Sequence, residues 1–162
     1  MAAAVLAALW APTVTAQTKD APVATRLVVH KHAHTMEVYD GDKLLRRLKV
    51  SLGRGGLGKK ERQGDRRVPE GIYMIDGSNP NSAFHLSLHI SYPSPEQVAA
   101  SAARGTDPGG DIMIHGLPNG LVLGRRKGGL GDWTDGCIAV TDPEIEWLWS
   151  SVPDGTPISI VP

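Results

Sequence analysis

Apolar and polar residues alternate along much of the chain with the two-residue period of half-buried β-strands. The alternation is cleanest over 84–90 (F-H-L-S-L-H-I), where every second residue is apolar. Apolar positions on both sides of the turn at 40–42 predict a hairpin of two strands over 26–50. Further short strands are predicted at 71–75, 112–115, 137–140 and 158–161.

Only two segments carry the signals of a helix. Ser94-Pro95-Glu96 combines a capping serine, a proline in the first turn and an acid, and it predicts a helix through the alanine-rich stretch to Gly105. Asp142-Pro143-Glu144 predicts a second helix by the same pattern. Its buried stripe follows the i, i+3, i+4, i+7 spacing and consists of Ile145, Leu148, Trp149 and Val152. With 19 Gly and 12 Pro in the chain, these two helices leave a mainly β domain.

Length and charge limit the classes of protein that remain. A chain of 162 residues predicts one domain. Its 17 Lys and Arg balance 17 Asp and Glu, so net charge predicts neither nucleic acid nor an anionic membrane as a partner. The single cysteine, Cys137, excludes an internal disulfide and a structural zinc site built from Cys pairs.

Residues 1–16 predict a secretory signal peptide. The run A-A-A-V-L-A-A-L-W is uncharged and apolar, and Val14-Thr15-Ala16 has the small-residue pattern of a cleavage site. Nine apolar residues are too few for a membrane span, which needs about 20. We therefore expect residues 17–162 to be the mature domain, secreted to the periplasm or cell envelope without a transmembrane segment.

Two further patterns have a functional and a structural interpretation. Residues 43–67 contain ten basic residues against two acids, which indicates either a basic surface facing a polyanionic matrix or a solvated loop. His30, His32 and His34 fall on one face of a predicted strand, as metal ligands or as part of an exposed polar face. Spacing alone favours the exposed face, so no metal is predicted.

The segments 112–116 (I-M-I-H-G) and 131–140 (G-D-W-T-D-G-C-I-A-V) carry the strongest candidate chemistry. A strand that ends in His115-Gly116 presents an imidazole at a sheet edge, and Gly136 places the Cys137 thiol after a turn. A neighbouring imidazole is expected to lower the thiol pKa into the reactive range. Glycine at position 136 also allows backbone N–H groups to face a developing oxyanion. The alternative is a buried cysteine and a core histidine.

These segments resemble the catalytic domain of the L,D-transpeptidase (YkuD-like) family. The signature in this chain is G-G-D-I-M-I-H-G over 109–116 followed by T-D-G-C-I over 134–138, and G-D-R-R-V-P-E-G-I-Y over 64–73 adds to it. The resemblance implies a β-sandwich or open barrel of mixed sheets with two short helices. It also implies a cysteine enzyme that acts on peptidoglycan stem peptides through a thioester, without a cofactor.

The resemblance also suggests roles for single residues. Cys137 is the implied nucleophile, His115 the implied base, and a carbonyl of Thr134 or Gly116 the implied partner of the imidazole. Gly136 and Gly116 shape the oxyanion turn. Trp133, Asp135 and Tyr92 are candidates for substrate contact, although Trp133 and Tyr92 are equally compatible with the core.

One position departs from the family pattern, because Ala139 stands where an arginine is usual and gives the segment YafK-like features. Transfer and hydrolysis therefore both remain open. The alternatives to a transpeptidase are an L,D-carboxypeptidase or a peptidoglycan-protein amidase with the same Cys and His, and a non-catalytic envelope-binding or metal-binding module. The acceptor and the oligomeric state are not predicted.

Overall fold

The structure is a computed structural model that describes residues 22–120 and 131–162. The expected signal peptide over 1–16 lies outside the described residues. Within them the chain forms eight strands and two helices: β1 Arg26–His30, β2 Thr35–Asp40, β3 Lys43–Lys49, β4 Gly71–Ser82, β5 His85–Ile90, α1 Pro95–Ala103, β6 Met113–His115, β7 Ile138–Ala139, α2 Asp142–Ser151 and β8 Pro157–Val161. Neither helix has the length and apolar character needed to cross a membrane.

All eight strands belong to one mixed sheet in the order β3-β2-β1-β8-β4-β5-β6-β7. The pairs β1–β8 and β6–β7 are parallel, and the other pairs are antiparallel. Strands β3 and β7 are the two edges of the sheet. After β3 the chain continues to Ser51, which pairs with Ala139 of β7, and to Gly53, which pairs with Thr134. The sheet therefore curls into a half-barrel, which confirms the predicted fold class, and the two edges meet near the predicted cysteine turn.

The predicted alternation explains which side chains form the core. Leu88 and Ile90 of β5 are 1% and 0% exposed, as the pattern over 84–90 predicts. Helix α2 contacts β5 and contributes Ile145 and Leu148, and Val152 follows directly at its C-terminal cap; each is at most 4% exposed. Trp149, from the same predicted stripe, is partly buried against this core.

Both helices begin where the sequence predicts them. At α1, Ser94 Oγ accepts the Gln97 N–H at 3.3 Å, and Gln97 Oε1 accepts the Ser94 N–H at 2.8 Å. The cap of α2 is Thr141 rather than Asp142, and Glu144 accepts its N–H at 2.8 Å. Asp142 Oδ1 instead accepts the Leu117 N–H at 2.8 Å, which ties α2 to the segment after β6.

The predicted hairpin around the turn at 40–42 is formed by β2 and β3, but the prediction of two strands over 26–50 is wrong, because that segment forms three. The chain turns between His30 and Thr35, and His34 adopts a φ of +50°. The three histidines therefore do not share a strand face as the period-two pattern suggested. The turn was not predicted, because apolar residues stand on both sides of it. Lys31, which lies inside the turn, is itself fully buried.

The long segment between β3 and β4, residues 50–70, is the β3–β4 loop. Lys31 of the β1–β2 turn is 0% exposed and anchors the β3–β4 loop through its ammonium group. Its Nζ donates to the carbonyl of Gly58 at 3.0 Å, to the carbonyl of Val68 at 3.1 Å and to Glu70 Oε1 at 2.8 Å. All three ammonium donors are satisfied, as a buried charge requires. This anchor holds the basic loop against the half-barrel.

Candidate active site

His115 and Cys137 lie on neighbouring strands at the end of the sheet. β6 and β7 run parallel, with Ile114 opposite Ile138 and His115 opposite Ala139. Ile114 and Ile138 are both 0% exposed, so they face the core. Since side chains alternate along a strand, His115 and Cys137 share the other face. Cys137 lies on the neighbouring strand, two residues before the position opposite His115. The two Cα atoms are therefore about 8 Å apart, a separation that the two side chains can bridge.

The His115 ring is held by one hydrogen bond and two aromatic contacts. Its Nδ1 lies 2.7 Å from the Gly116 carbonyl oxygen. Because a carbonyl only accepts, Nδ1 carries the proton and Nε2 is left as the basic nitrogen. The Phe84 ring stacks at 4.5 Å and the Trp133 ring meets the imidazole edge-on at 5.6 Å. Burial lowers the pKa of His115, while the Gly116 hydrogen bond raises it less, so the imidazole is neutral at neutral pH.

Gly116 can only be glycine at this position. A Cβ there would lie 2.6 Å from Asp142 Oδ1 and 3.0 Å from the Phe84 carbonyl oxygen. The close approach lets the Gly116 N–H donate to that carbonyl at 3.0 Å. Phe84 thus fixes His115 twice, through its ring and through Gly116. Phe84 was not predicted as a site residue. It lies half-buried in the turn between β4 and β5, and an apolar residue in a turn carries no sign of this role.

The turn that carries Cys137 is shaped by Thr134 and Gly136. The Thr134 hydroxyl donates to the Cys137 carbonyl at 2.7 Å and accepts the Gly136 N–H at 3.3 Å. Gly136 has a φ of +125°, and a Cβ there would lie 3.1 Å from the Arg67 carbonyl oxygen. Of the two carbonyls considered for orienting the imidazole, the Gly116 oxygen contacts Nδ1, whereas the Thr134 oxygen accepts the Arg54 N–H at 3.0 Å.

The Cys137 thiol is only partly covered, and its Sγ lies 3.6 Å from the Asp111 carbonyl oxygen. Burial raises the pKa of Cys137, a hydrogen bond from the Met113 backbone lowers it, and the charges of Asp111 and Asp135 raise it further. The expected lowering of the pKa by the imidazole is therefore wrong for this structure. A desolvated thiol and a neutral imidazole on the same sheet face favour the uncharged pair over the thiolate–imidazolium pair.

Charged side chains connect the Cys137 turn to the β3–β4 loop. Asp135 Oδ1 accepts from Arg54 at 2.8 Å and lies 3.4 Å from Arg66 Nε. Asp132 Oδ1 accepts the Leu52 N–H at 2.8 Å, and its Oδ2 lies 3.0 Å from His34 Nε2. The two carboxylates therefore hold the turn against the loop, and Asp135 is exposed beside the thiol.

The two aromatic candidates for substrate contact lie in different places. Trp133 packs beside His115, and its Nε1 is buried with no hydrogen-bond partner among the residues that the structure describes. Tyr92 is 5% exposed, packs edge-on against Tyr73 at 5.9 Å and donates to the Pro108 carbonyl at 2.8 Å.

Within residues 22–120 and 131–162, no three His, Cys, Asp or Glu side chains form a cluster able to hold a metal ion.

The half-barrel and its Cys–His pair agree with the comparison to known families. The chain matches the YkuD L,D-transpeptidase catalytic domain over residues 24–160, and it belongs to that family. It is 33% identical over 94 residues to YafK of Escherichia coli (strain K12), a match that covers 54% of this chain and 36% of that protein.

Solved structures share the fold at lower identity. Pgp2, the helical cell shape determining protein from Campylobacter jejuni, superposes with a TM-score of 0.63 at 21% identity, over 88% of this chain and 51% of Pgp2. An L,D-transpeptidase from Xylanimonas cellulosilytica (residues 123-326) gives a TM-score of 0.57 at 14% identity, over 86% of this chain and 61% of that one. The chain therefore spans about a third of YafK and about half of Pgp2.

Proposed function

We propose that this protein is a cysteine-dependent L,D-transpeptidase that acts on peptidoglycan stem peptides in the cell envelope. The observation that carries the proposal is the arrangement of His115. Its Nδ1–H is fixed on Gly116, its free Nε2 is basic, and it shares a sheet face with the partly exposed thiol of Cys137. Membership of the L,D-transpeptidase family supports the choice of substrate class.

In the first half-reaction, Cys137 Sγ attacks the carbonyl carbon at the L-centre of the stem diamino acid, and the thiol proton passes to His115 Nε2. The carbonyl π electrons move to oxygen and form a tetrahedral oxyanion. Collapse breaks the C–N bond to the terminal D-Ala, and imidazolium His115 donates its proton to the departing amine. A thioester and free D-Ala result, with His115 neutral again.

In the second half-reaction, an amine of a second stem peptide attacks the thioester and gives its proton to His115. The C–S bond breaks, and the Cys137 sulfur recovers the proton from His115. The product is a new amide cross-link. The low pKa of the buried imidazole suits both half-reactions, because a neutral base is present at neutral pH and its conjugate acid is strong enough to protonate the leaving group.

The turn around Cys137 is the candidate oxyanion site. The Gly136 N–H is directed to the Thr134 hydroxyl, so we assign the N–H of Cys137 itself as the main donor to the oxyanion. Thr134 thereby acts as a positioning residue that holds the turn. The indole N–H of Trp133, beside the His115 ring, is a donor for a substrate carbonyl. A buried N–H without a partner is costly, and a bound peptide would satisfy it.

Acylation by a carbapenem tests the nucleophile and the base without natural substrate. Intact-protein mass spectrometry should show a covalent adduct on the wild type and none on Cys137→Ala. His115→Gln should slow adduct formation at least about 100-fold, the usual contribution of a general base. His32→Gln is the matched control, because His32 is exposed, and it should react like the wild type. A wild type that forms no adduct would refute the proposal.

Hydrolysis is the second candidate, and Ala139 favours it. This small residue is 2% exposed on the same strand face as Cys137, so the position supplies no cation to hold an acceptor stem. Incubation with purified muropeptides separates the two reactions. Cross-linked dimers indicate transfer to an amine, whereas shortened monomers alone indicate transfer to water by the same Cys and His.

A further inference from the structure

A second concave site lies between the end of α1 and the β3–β4 loop. It is a cavity of about 250 Å³, and its lining is polar and basic: Lys59, Lys60, Glu61, Tyr92, Gln97, Ala100, Ser101 and Arg104. The volume is below that of a typical pocket for a drug-sized ligand, about 300–1,000 Å³. The cavity therefore suits a group the size of one amino-acid residue.

The lining offers hydrogen-bond donors that the described residues do not use. The Lys60 side chain is 4% exposed, and its Nζ donates to Asp65 Oδ1 at 2.9 Å and to the Arg62 carbonyl at 3.1 Å. An ammonium group has three N–H donors, so one is left over. Ser101 is 2% exposed, and its hydroxyl accepts from Arg104 at 3.3 Å while its own hydrogen remains available.

The charge of the lining is positive. Three cations, Lys59, Lys60 and Arg104, face the cavity with one carboxylate, Glu61. Lys60 is paired with Asp65 outside the lining. Lys59 and Arg104 take part in none of the ion pairs formed between residues 22–120 and 131–162. A donor-rich, positive cavity of this size selects an anion.

The cavity is close to the thiol along one short segment. Tyr92, in the cavity wall, donates to the Pro108 carbonyl at 2.8 Å, and the Asp111 carbonyl lies 3.6 Å from Cys137 Sγ. Asp111 follows Pro108 by three positions, a span of at most about 11 Å. The charge of Lys60 also lowers the pKa of Cys137. The shared segment 108–111 and the charge of Lys60 place the cavity near the thiol.

We propose that this cavity is a carboxylate subsite for the donor stem peptide. It takes the free carboxylate of the residue before the diamino acid, and Lys59, Arg104 and the spare N–H of Lys60 bind it. The inference rests on the proposed function, because the anion is assigned to the donor stem peptide from the segment 108–111 that the cavity wall and the thiol share. It adds a specificity determinant that lies on α1 and the β3–β4 loop rather than on the Cys–His strands.

Binding to Cys137→Ser tests the subsite without turnover. Two synthetic tetrapeptides are compared by calorimetry, L-Ala-γ-D-Glu-diaminopimelate-D-Ala and the same peptide with the glutamate carboxylate converted to a primary amide. The acid peptide should bind about tenfold more tightly, a difference of about 1.4 kcal/mol, because hydrogen bonds to a charged acceptor are stronger than those to a neutral amide. Adding Arg104→Gln or Lys59→Gln should remove the difference, and Arg104→Lys should restore part of it.

Lys43→Gln is the matched control, because Lys43 is exposed at the β2–β3 turn, and it should keep the tenfold preference. Equal binding of the two peptides to Cys137→Ser, or no binding of either, would overturn the subsite even if the carbapenem adduct forms. A preference that survives Arg104→Gln and Lys59→Gln would also overturn it. Carboxylate-dependent binding in a protein that forms no adduct would support the subsite and refute the proposed chemistry.

Discussion

Asp65 is predicted to stabilise the β3–β4 loop through its charge. Its side chain is 10% exposed. It accepts from Lys60 at 2.9 Å and from the backbone N–H groups of Glu61, Arg62 and Arg67 at 2.7–3.1 Å. Burial raises the pKa of Asp65, but these hydrogen bonds outweigh burial and lower the pKa to about 2, from an ordinary 3.8.

The lowered pKa converts into a stability that depends on pH. A shift of this size corresponds to about 2 kcal/mol of unfolding free energy, because each pKa unit is worth about 1.4 kcal/mol. The carboxylate is favoured in the folded state, so the stabilisation is fully present well above pH 3.8. It is lost as pH falls, with about half remaining at pH 3 and little at pH 2.

Urea unfolding followed by tryptophan fluorescence measures this effect on the full chain. At pH 7, Asp65→Asn should lower the unfolding free energy by about 2 kcal/mol or more, because an amide nitrogen would also face backbone donors. The gap between wild type and Asp65→Asn should narrow from pH 4 to pH 2. Asp154→Asn is the control for loss of an exposed carboxylate and should stay within about 0.5 kcal/mol of wild type. A gap that is the same at pH 7 and pH 3 would refute the electrostatic explanation.

Two further substitutions test the supports of the site. Gly136→Ala should cost about 1–3 kcal/mol and slow acylation by a carbapenem, because its φ is +125° and its Cβ would press on a backbone carbonyl at 3.1 Å. Gly41→Ala, with positive φ but open space, should cost less and leave acylation unchanged; equal effects would contradict the steric argument. Lys31→Met should cost about 3 kcal/mol by leaving Glu70 and two carbonyls without their donor, whereas exposed Lys43→Met should be neutral in the same urea assay.

Local patterns were sufficient for most strands and for both helices. The alternation over 84–90 and the Pro-Glu starts of α1 and α2 depend on residues that are neighbours in the chain. The same reasoning failed at Lys31, where a charged residue in a turn is completely buried. Its partners Gly58, Val68 and Glu70 lie at least 27 positions away, so no local pattern could indicate them.

In the candidate site, too, some features were predictable from local sequence and others depend on the fold. His115-Gly116 and the Cys137 turn are recognisable as sequence motifs, because each is a short stretch with a backbone requirement of its own. The role of Phe84 depends on the pairing of β5 with β6, which sets it against the imidazole. The direction of the thiol pKa likewise depends on what covers Cys137 and on which carboxylates surround it.

Residue order thus specified the strand and helix segments, the glycine-dependent turns and the two candidate catalytic residues, since these follow from side-chain periodicity and backbone conformation over a few residues. The closure of the half-barrel was decided only in three dimensions, where the chain after β3 meets the Cys137 turn and leaves a basic cavity beside α1. Strand order and register bring distant residues together, and burial then sets the charge state of each group. Both are properties of the whole fold.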